Sequence, residues 1–349
     1  MKDIRIRDKV IGTNQKPFII AEMSGNHNQS IERAKQIIDA AVEAGADAVK
    51  LQTYTPDTMT INSTTGLFQI NDENSLWNGR NLYDLYKEAH TPWEWHKPLF
   101  DYAKEKGIYI FSTPFDETAV DFLEELGVGA YKIASFENTD HPLLKKVART
   151  GKPVIMSTGL ADLADIDESV KILRSHGCSE LILLKCTSTY PATPENTHLL
   201  TIPHMSTLFN CQVGLSDHTM GIGAAIAAVA LGATVIEKHF TLRRSDGGVD
   251  STFSIEPEEM KNLVVESERA FLSLGSVYYG VQEAEKKSLR FKRSVYVVKD
   301  VSPGEVFNKE NLRVLRPGDG MPPKYYELLL GKVSRTNIQA GTPLKWEMF

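Results

Sequence analysis

Short apolar runs rich in β-branched residues alternate along this chain with longer stretches whose apolar positions recur at helical spacing. The runs are FIIAEM from Phe18, AVKLQTY from Ala48, IYIFSTP from Ile108, AYKIAS from Ala130, PVIMSTG from Pro153, LILLKCTS from Leu181, CQVGLSDH from Cys211 and TVIEKHF from Thr234. Connecting segments such as SIERAKQIIDAAVEAGA and HPLLKKVARTGK are amphipathic and often end at glycine, as a strand-helix-strand unit requires. Eight such units in series predict an α/β fold, a (β/α)8 TIM barrel.

The pattern breaks in two places. Residues 55–98, which include NSLWNGRNLYDLYKEAHTPWEWH, make one connection far longer than a turn. Its first half reads as a lid over the barrel mouth and its second half as a barrel helix; the alternative is an insertion packed on the rim. Beyond Ser294 the helical spacing gives way to short strands and turns, with PGE, RPGDG and IQAGTPL. The expected organisation is a barrel over 1–281, a polar linker over 282–293 and a small β-rich domain over 294–349. So small a core is expected to lean on a neighbour.

Composition narrows the class. The 349 residues are 42% hydrophobic and 24% charged, as in a folded globular protein. A net charge of -6 with no lysine or arginine block gives little support to nucleic-acid or anionic-membrane binding, so a small substrate fits better. No apolar run reaches the roughly 20 residues of a membrane span. The start, MKDIRIRDKV, lacks the apolar core of a secretory signal, so the expected location is the cytoplasm. Cys178, Cys186 and Cys211, odd in number and widely spaced, read as reduced core residues.

In such a barrel, chemistry belongs at the carboxyl ends of the strands. This sequence repeatedly places polar residues there. The strand period of two puts Glu22 with Ser24, Lys50 with Gln52, Ser216 with His218 and Glu237 with His239 on shared faces, and Lys132 and Lys185 add strand-borne cations. Six strands ending this way imply a polar mouth. His218 and His239 lie at comparable positions on consecutive strands and could hold one divalent ion; a hydrogen-bonded pair of imidazoles is the alternative. With two imidazoles and oxygen in the remaining positions, the ion would be Mn2+ or Mg2+ rather than structural zinc. Lys50 and Lys132, with Thr113, Ser135, Ser157 and Ser216, make a cradle for phosphate and carboxylate, although a barrel lysine can also be a Schiff-base nucleophile. The alternation does not cover Thr113, Ser135 or Ser157, which are expected to reach the site from the loops that end their strands.

Taken in order, FIIAEMSGNHNQS, GADAVKLQTYTPD, FSTPFDE, AYKIASFE, STGLAD, LLKCTSTYPA, VGLSDHTMG and VIEKHFTL resemble the sialic acid synthase family. That family joins phosphoenolpyruvate to an N-acetylated amino sugar to make nine-carbon nonulosonic acids. The tail from Ser294 is similar to the antifreeze-like (SAF) domain that these enzymes carry. LWNGRNLYDLYKEAHTPWEWH and LKCTSTYP look most like the pseudaminic acid branch, whose acceptor is a 2,4-diacetamido-2,4,6-trideoxy altrose. The sialic acid branch typically has asparagine where Ser188 stands; the N-acetylneuraminate and legionaminic acid branches are the alternatives.

The resemblance implies roles residue by residue. His218 and His239 would hold the metal and serve catalysis with Glu22, the favoured acid/base. Lys50, Lys132, Thr113, Ser135, Ser157 and Ser216 would grip phosphoenolpyruvate. Gln52, Tyr190 and Asp250 would contact the sugar, and Glu237 would support the metal from behind. In the family the small domain is exchanged across a homodimer, so Arg316 of LRPGDG would close the partner's site on an acetamido group; a turn residue in an exposed loop is the alternative. Three rivals remain. A condensing synthase with a phosphorylated aldose needs an extra arginine cluster, and none is visible. A Schiff-base lyase would trap with borohydride and pyruvate. A carbohydrate- or ice-binding protein on an inactive barrel predicts gaps in the polar mouth.

Overall fold

The computed structural model describes every residue except Asn74. It divides into two compact units, Met1–Gly275 and Ser276–Phe349. The division falls slightly before the boundary expected after Val281, because the last helix of the first unit stops at Leu274 and residues 276–293 are exposed throughout.

The first unit opens with a hairpin that the sequence reading did not anticipate, β1 (Ile4–Ile6) and β2 (Lys9–Ile11). The eight expected runs follow as β3 (Phe18–Glu22), β4 (Ala48–Thr53), β5 (Tyr109–Pro114), β6 (Tyr131–Ile133), β7 (Val154–Ser157), β8 (Leu181–Cys186), β9 (Gln212–Asp217) and β10 (Val235–His239). Each is parallel to its neighbours, and β10 returns to β3 to close the barrel. The outer helices include α1 (Ile31–Ala44), α5 (Glu117–Glu125), α6 (His141–Ala148), α7 (Leu163–Ser175), α8 (Thr201–Phe209), α9 (Gly223–Ala230) and α10 (Pro257–Leu274). Helix α1 shows the local logic. The Ser30 side chain accepts from Arg33 N at its start, Gly45 ends it at φ 83°, and Ile37, Ile38 and Ala41 form its buried stripe.

Alternation along the strands produces two apolar layers. Outward residues such as Ile19, Val49, Ile133, Leu183 and Ile236 pack against the helices. Inward residues Phe18, Ile20, Phe111, Ile155, Ile182 and Val235 fill the lower barrel, where Ile4, Ile6 and Ile11 of the hairpin join them. The amino end is thus plugged with apolar side chains, and the interior turns polar only toward the carboxyl ends.

The long connection carries α2 (Pro56–Met59), α3 (Leu82–Ala89) and α4 (Trp93–Lys106). Helix α4 is the expected barrel helix, starting later than anticipated and running past Pro98. Among the described residues no helix is long and apolar enough to cross a membrane.

The second unit begins with a 3-10 helix, Glu283–Phe291, in the segment expected to be linker. Beyond it β11 (Ser294–Val297) pairs antiparallel with β12 (Leu312–Leu315). Val295, Val297, Phe307, Leu312, Leu329, Ile338 and Leu344 make its core.

Candidate active site

At the carboxyl ends of the strands the inward positions line a cavity of about 320 Å³. Register aligns their polar residues side by side, Glu22 with Lys50, Gln52 with Thr113, Glu237 with Ser216 and His239 with Glu22. Lys50 Nζ lies 2.8 Å from Glu22 Oε2 and 3.6 Å from Glu237 Oε2, and donates to Thr113 Oγ1 at 3.1 Å. Lys132 Nζ donates to Ser157 Oγ at 2.7 Å and stands 3.6 Å from Glu237 Oε1, which also accepts from Ser216 Oγ at 2.9 Å. Two cations and two carboxylates therefore share one buried floor.

Thr113 and Ser157 correct an expectation. Both are strand residues, because β5 runs to Pro114 and β7 to Ser157, and both have inward parity; Ser157 lines the cavity, whereas Thr113 is fully buried outside its lining and meets it through Lys50. Ser135 does arrive from beyond its strand, in the turn Ser135–Glu137. Its hydroxyl accepts from Gly159 N at 3.2 Å. A Cβ at Gly159 would come within 2.2 Å of Ser188 Oγ and 2.6 Å of Ser135 Oγ, so this approach needs glycine. Lys185 points the other way, onto Cys186 O and Thr187 Oγ1, and does not line the cavity.

Burial and charge set the protonation states. Burial pushes Glu22 up to about 7 although Lys50 opposes it, with Glu237 adding to the rise. Glu237 is held down against burial by Lys132 and Lys50, so Glu22 takes a proton first. Burial lowers Lys132, whereas Lys50 is raised against burial by Glu22 and Glu237. Gln52 Nε2 donates to Glu22 Oε1 and to Ser24 Oγ, each at 3.0 Å, and Ser24 donates to Asp250, whose carboxyl burial raises.

His218 and His239 face each other with ring centroids 5.3 Å apart. His218 Nδ1 lies 3.0 Å from Thr187 O, which leaves its Nε2 free to ligate. His239 Nδ1 is buried without a hydrogen-bond partner and lies 3.8 Å from Asp250 Oδ2. Burial, with the nearby charge of His218, holds His239 well below the usual histidine range, so it is a neutral imidazole with a lone pair to give. His218 is raised, burial being outweighed by Cys186, and would shed its proton to a metal. Among the described residues no group of three or more His, Cys, Asp or Glu forms a ready cation cage. The two imidazoles fit an ion whose remaining positions are open to water and substrate.

Tyr190 packs over His218 with centroids 4.4 Å apart, and Phe253 lies 4.9 Å from the His239 ring. From the long connection, Met59, Ile70, Trp77, Leu82, Leu85 and Tyr86 line the cavity as the expected lid. Trp77 fastens it, its indole N–H donating to Val249 O at 3.0 Å while its ring stands 5.8 Å from Tyr190. Arg316 belongs to the second unit, where it is exposed.

Sequence reasoning missed several cavity residues, among them the aromatic Tyr54, Phe115 and Phe136 and two others with ionisable side chains, Glu137 and Cys186. Glu137 lines the cavity with Oε2 buried and unpartnered, and burial pushes its carboxyl up to about 7. The signal was its place two residues after Ser135. Cys186, expected in the core, is buried but lines the cavity beside His218, with Sγ 4.0 Å from Nδ1. The inward parity shared with Ile182 and Leu184 was the available clue. All three cysteines are free.

Resemblance to known proteins extends over both units. The NeuB family profile matches residues 37–279, and the SAF domain profile matches 292–349. The chain is 44% identical over 333 residues to the pseudaminic acid synthase of Campylobacter jejuni, covering 95% of this chain and 96% of that one. Against the N,N'-diacetyllegionaminic acid synthase of the same species it is 37% identical over 333 residues, covering 93% and 98%. Among solved structures, N-acetylneuraminic acid synthetase from Leptospira borgpetersenii superposes with a TM-score of 0.73 at 33% identity, covering 82% of this chain and 95% of that one.

Proposed function

This chain belongs to the NeuB family of phosphoenolpyruvate-dependent nonulosonic acid synthases, and we propose that it joins phosphoenolpyruvate and water to 2,4-diacetamido-2,4,6-trideoxy-β-L-altropyranose, giving pseudaminic acid and phosphate. One observation carries the chemistry: Lys50 and Lys132, bracketed by hydroxyls, lie on the same cavity floor as two facing imidazoles. The higher identity to the pseudaminic than to the legionaminic enzyme of a single species favours the altrose acceptor.

In this reading Lys50 and Lys132, with Thr113, Ser135, Ser157 and Ser216, hold the phosphate and carboxylate and place C3 toward the sugar aldehyde. With the sugar ring open, a new bond forms between C3 and the aldehyde carbon, whose oxygen becomes an alkoxide. Water adds to C2, giving one proton through Glu22 to that alkoxide, and the C2–O bond to phosphate then breaks, the departing phosphate taking the second proton of the water to leave the ketone. Glu22 suits that exchange because burial brings it near neutrality. A divalent ion, Mn2+ or Mg2+, held by His218 and His239 would supply Lewis-acid polarisation of a carbonyl. Gln52, Tyr190 and Asp250 orient the sugar, Glu237 steadies the lysines and the imidazoles, and the Trp77 lid excludes water. We further propose that the protein works in the cytoplasm as a homodimer in which Arg316 of one copy closes the other's cavity.

The test is phosphate release with phosphoenolpyruvate and a panel of N-acetylated 2-amino and 2,4-diamino hexoses, with and without EDTA. Release with the altrose derivative, abolished by EDTA and restored by Mn2+, is expected. Release only with N-acetylmannosamine moves the assignment to the sialic acid branch, and release with none of the sugars ends the synthase reading. Arg316→Ala should raise KM for the sugar while sedimentation still reports a dimer.

A further inference from the structure

Behind the two histidines lies a charged pair that the reaction does not touch. Asp217 and Lys238 occupy outward positions adjacent in sequence to His218 and His239, on neighbouring strands β9 and β10. Lys238 Nζ lies 2.8 Å from Asp217 Oδ2, and both side chains are 1% exposed. The ammonium also donates to Thr219 O at 2.6 Å, while Asp217 Oδ1 accepts from Thr219 N at 2.9 Å and from Thr219 Oγ1 at 2.8 Å. These four bonds fix the chain on both sides of His218.

The same turn anchors the loop that carries Tyr190. Ala192 N donates to His218 O at 3.0 Å, and His218 Nδ1 is paired with Thr187 O. One lysine, rooted beside His239, thereby holds the backbone that presents both His218 and Tyr190. Stability alone does not explain it. The desolvation of a fully buried ion pair about cancels its attraction, and a packed apolar pair often serves stability as well. What charge-assisted bonds add is direction, which a greasy contact cannot specify.

We propose that Asp217 and Lys238 are positioning residues, a clamp that sets the spacing and aim of the His218 and His239 imidazoles and so tunes their hold on a divalent cation. The proposal rests on the reading of those histidines as metal ligands. Groups that hydrogen-bond metal ligands govern affinity through aim, and their loss weakens binding about 10–100-fold; this pair acts on the backbone that carries the ligands, and the same range sets the scale expected of it.

The experiment is equilibrium titration of Mn2+ into the full-length, substrate-free protein, followed calorimetrically or by the loss of the free-ion EPR signal. The D217N/K238M variant removes both charges while nearly keeping volume. It should melt cooperatively close to the wild type yet bind Mn2+ about 10–100-fold more weakly. In assays the Mn2+ needed for half-maximal activity should rise far more than KM for phosphoenolpyruvate at saturating metal, because the lysines that hold that substrate lie on β4 and β6 and only Ser216 shares β9 with the clamp. Thr219→Val, which deletes one hydroxyl from the clamp, should weaken Mn2+ several-fold, and it decides the question if the double variant does not fold. Wild-type Mn2+ affinity in a folded variant overturns the clamp and leaves the metal site standing. Absence of Mn2+ binding by the wild type overturns both.

Discussion

Glu22 is the residue on which pH dependence turns. Its carboxyl is buried against Lys50, and its pKa near 7 is the outcome of burial winning over that cation. A group that accepts a proton from water must first be ionised. Activity through Glu22 is therefore lost as pH falls below about 7 and levels off above it. Glu22→Gln should cut kcat by about 10²–10⁴ and remove that acid limb from the kcat/KM profile. If the limb survives in the variant, the titrating group is another cavity residue, and Glu137 and Cys186 both fall in the same window. The contrast between these two glutamates shows how far residues can be read from sequence. Glu22, Lys50, Ser216 and Glu237 were legible because strand alternation gives each a direction. Glu137 was not, since β6 ends at Ile133 and the turn that follows has no fixed period. Thr113 and Ser157 lie inside the runs IYIFSTP and PVIMSTG and share the inward parity of Phe111 and Ile155, so counting by two reaches them as it reaches Lys50.

Among elements, the eight barrel strands were readable from their apolar runs, and the hairpin β1–β2 was not. Strands of three residues are too short to display a period, and charged residues interrupt them. Their role appears only in three dimensions, where Ile6 and Ile11 are fully buried in the lower barrel. Ile6→Ala should cost about 2–5 kcal/mol in denaturant unfolding and leave both KM values unchanged, because the plug sits opposite the site. The lid makes the complementary prediction. Trp77 crosses from the long connection to Val249 and packs near Tyr190, which is assigned to the sugar. Trp77→Ala should raise KM for the sugar and spare KM for phosphoenolpyruvate; an equal rise in both would make the lid a cover for the whole cavity rather than a wall of the sugar site.

At the scale of the molecule the histidines are unevenly placed. All nine lie in the first unit, and the second has none. Two of them are structural and fully buried. His96 Nε2 meets Thr53 Oγ1 at 2.8 Å, and His27 Nε2 meets Thr91 Oγ1 at 3.2 Å. Burial lowers both from 6.5 to about 4. As pH falls between these values the unfolded chain takes up protons that the folded one refuses. Stability from a neutral histidine is therefore complete above about 6.5 and lost on the way to 4, up to about 3 kcal/mol for each ring. Glu22 and Glu137 act with the opposite sign over much of that range, because their raised values make the folded state the better proton acceptor as pH falls from about 7 toward 4.5. The raw melting curve thus hides the histidines, and a difference reveals them. In calorimetric melts of the full-length chain, the stability gap between wild type and His96→Gln should be widest above pH 6.5 and narrow steadily toward pH 4. A gap that does not change with pH would mean that His96 is not excluded from protonation in the fold, and that its bond to Thr53 holds the α4–β4 contact equally well with the ring charged.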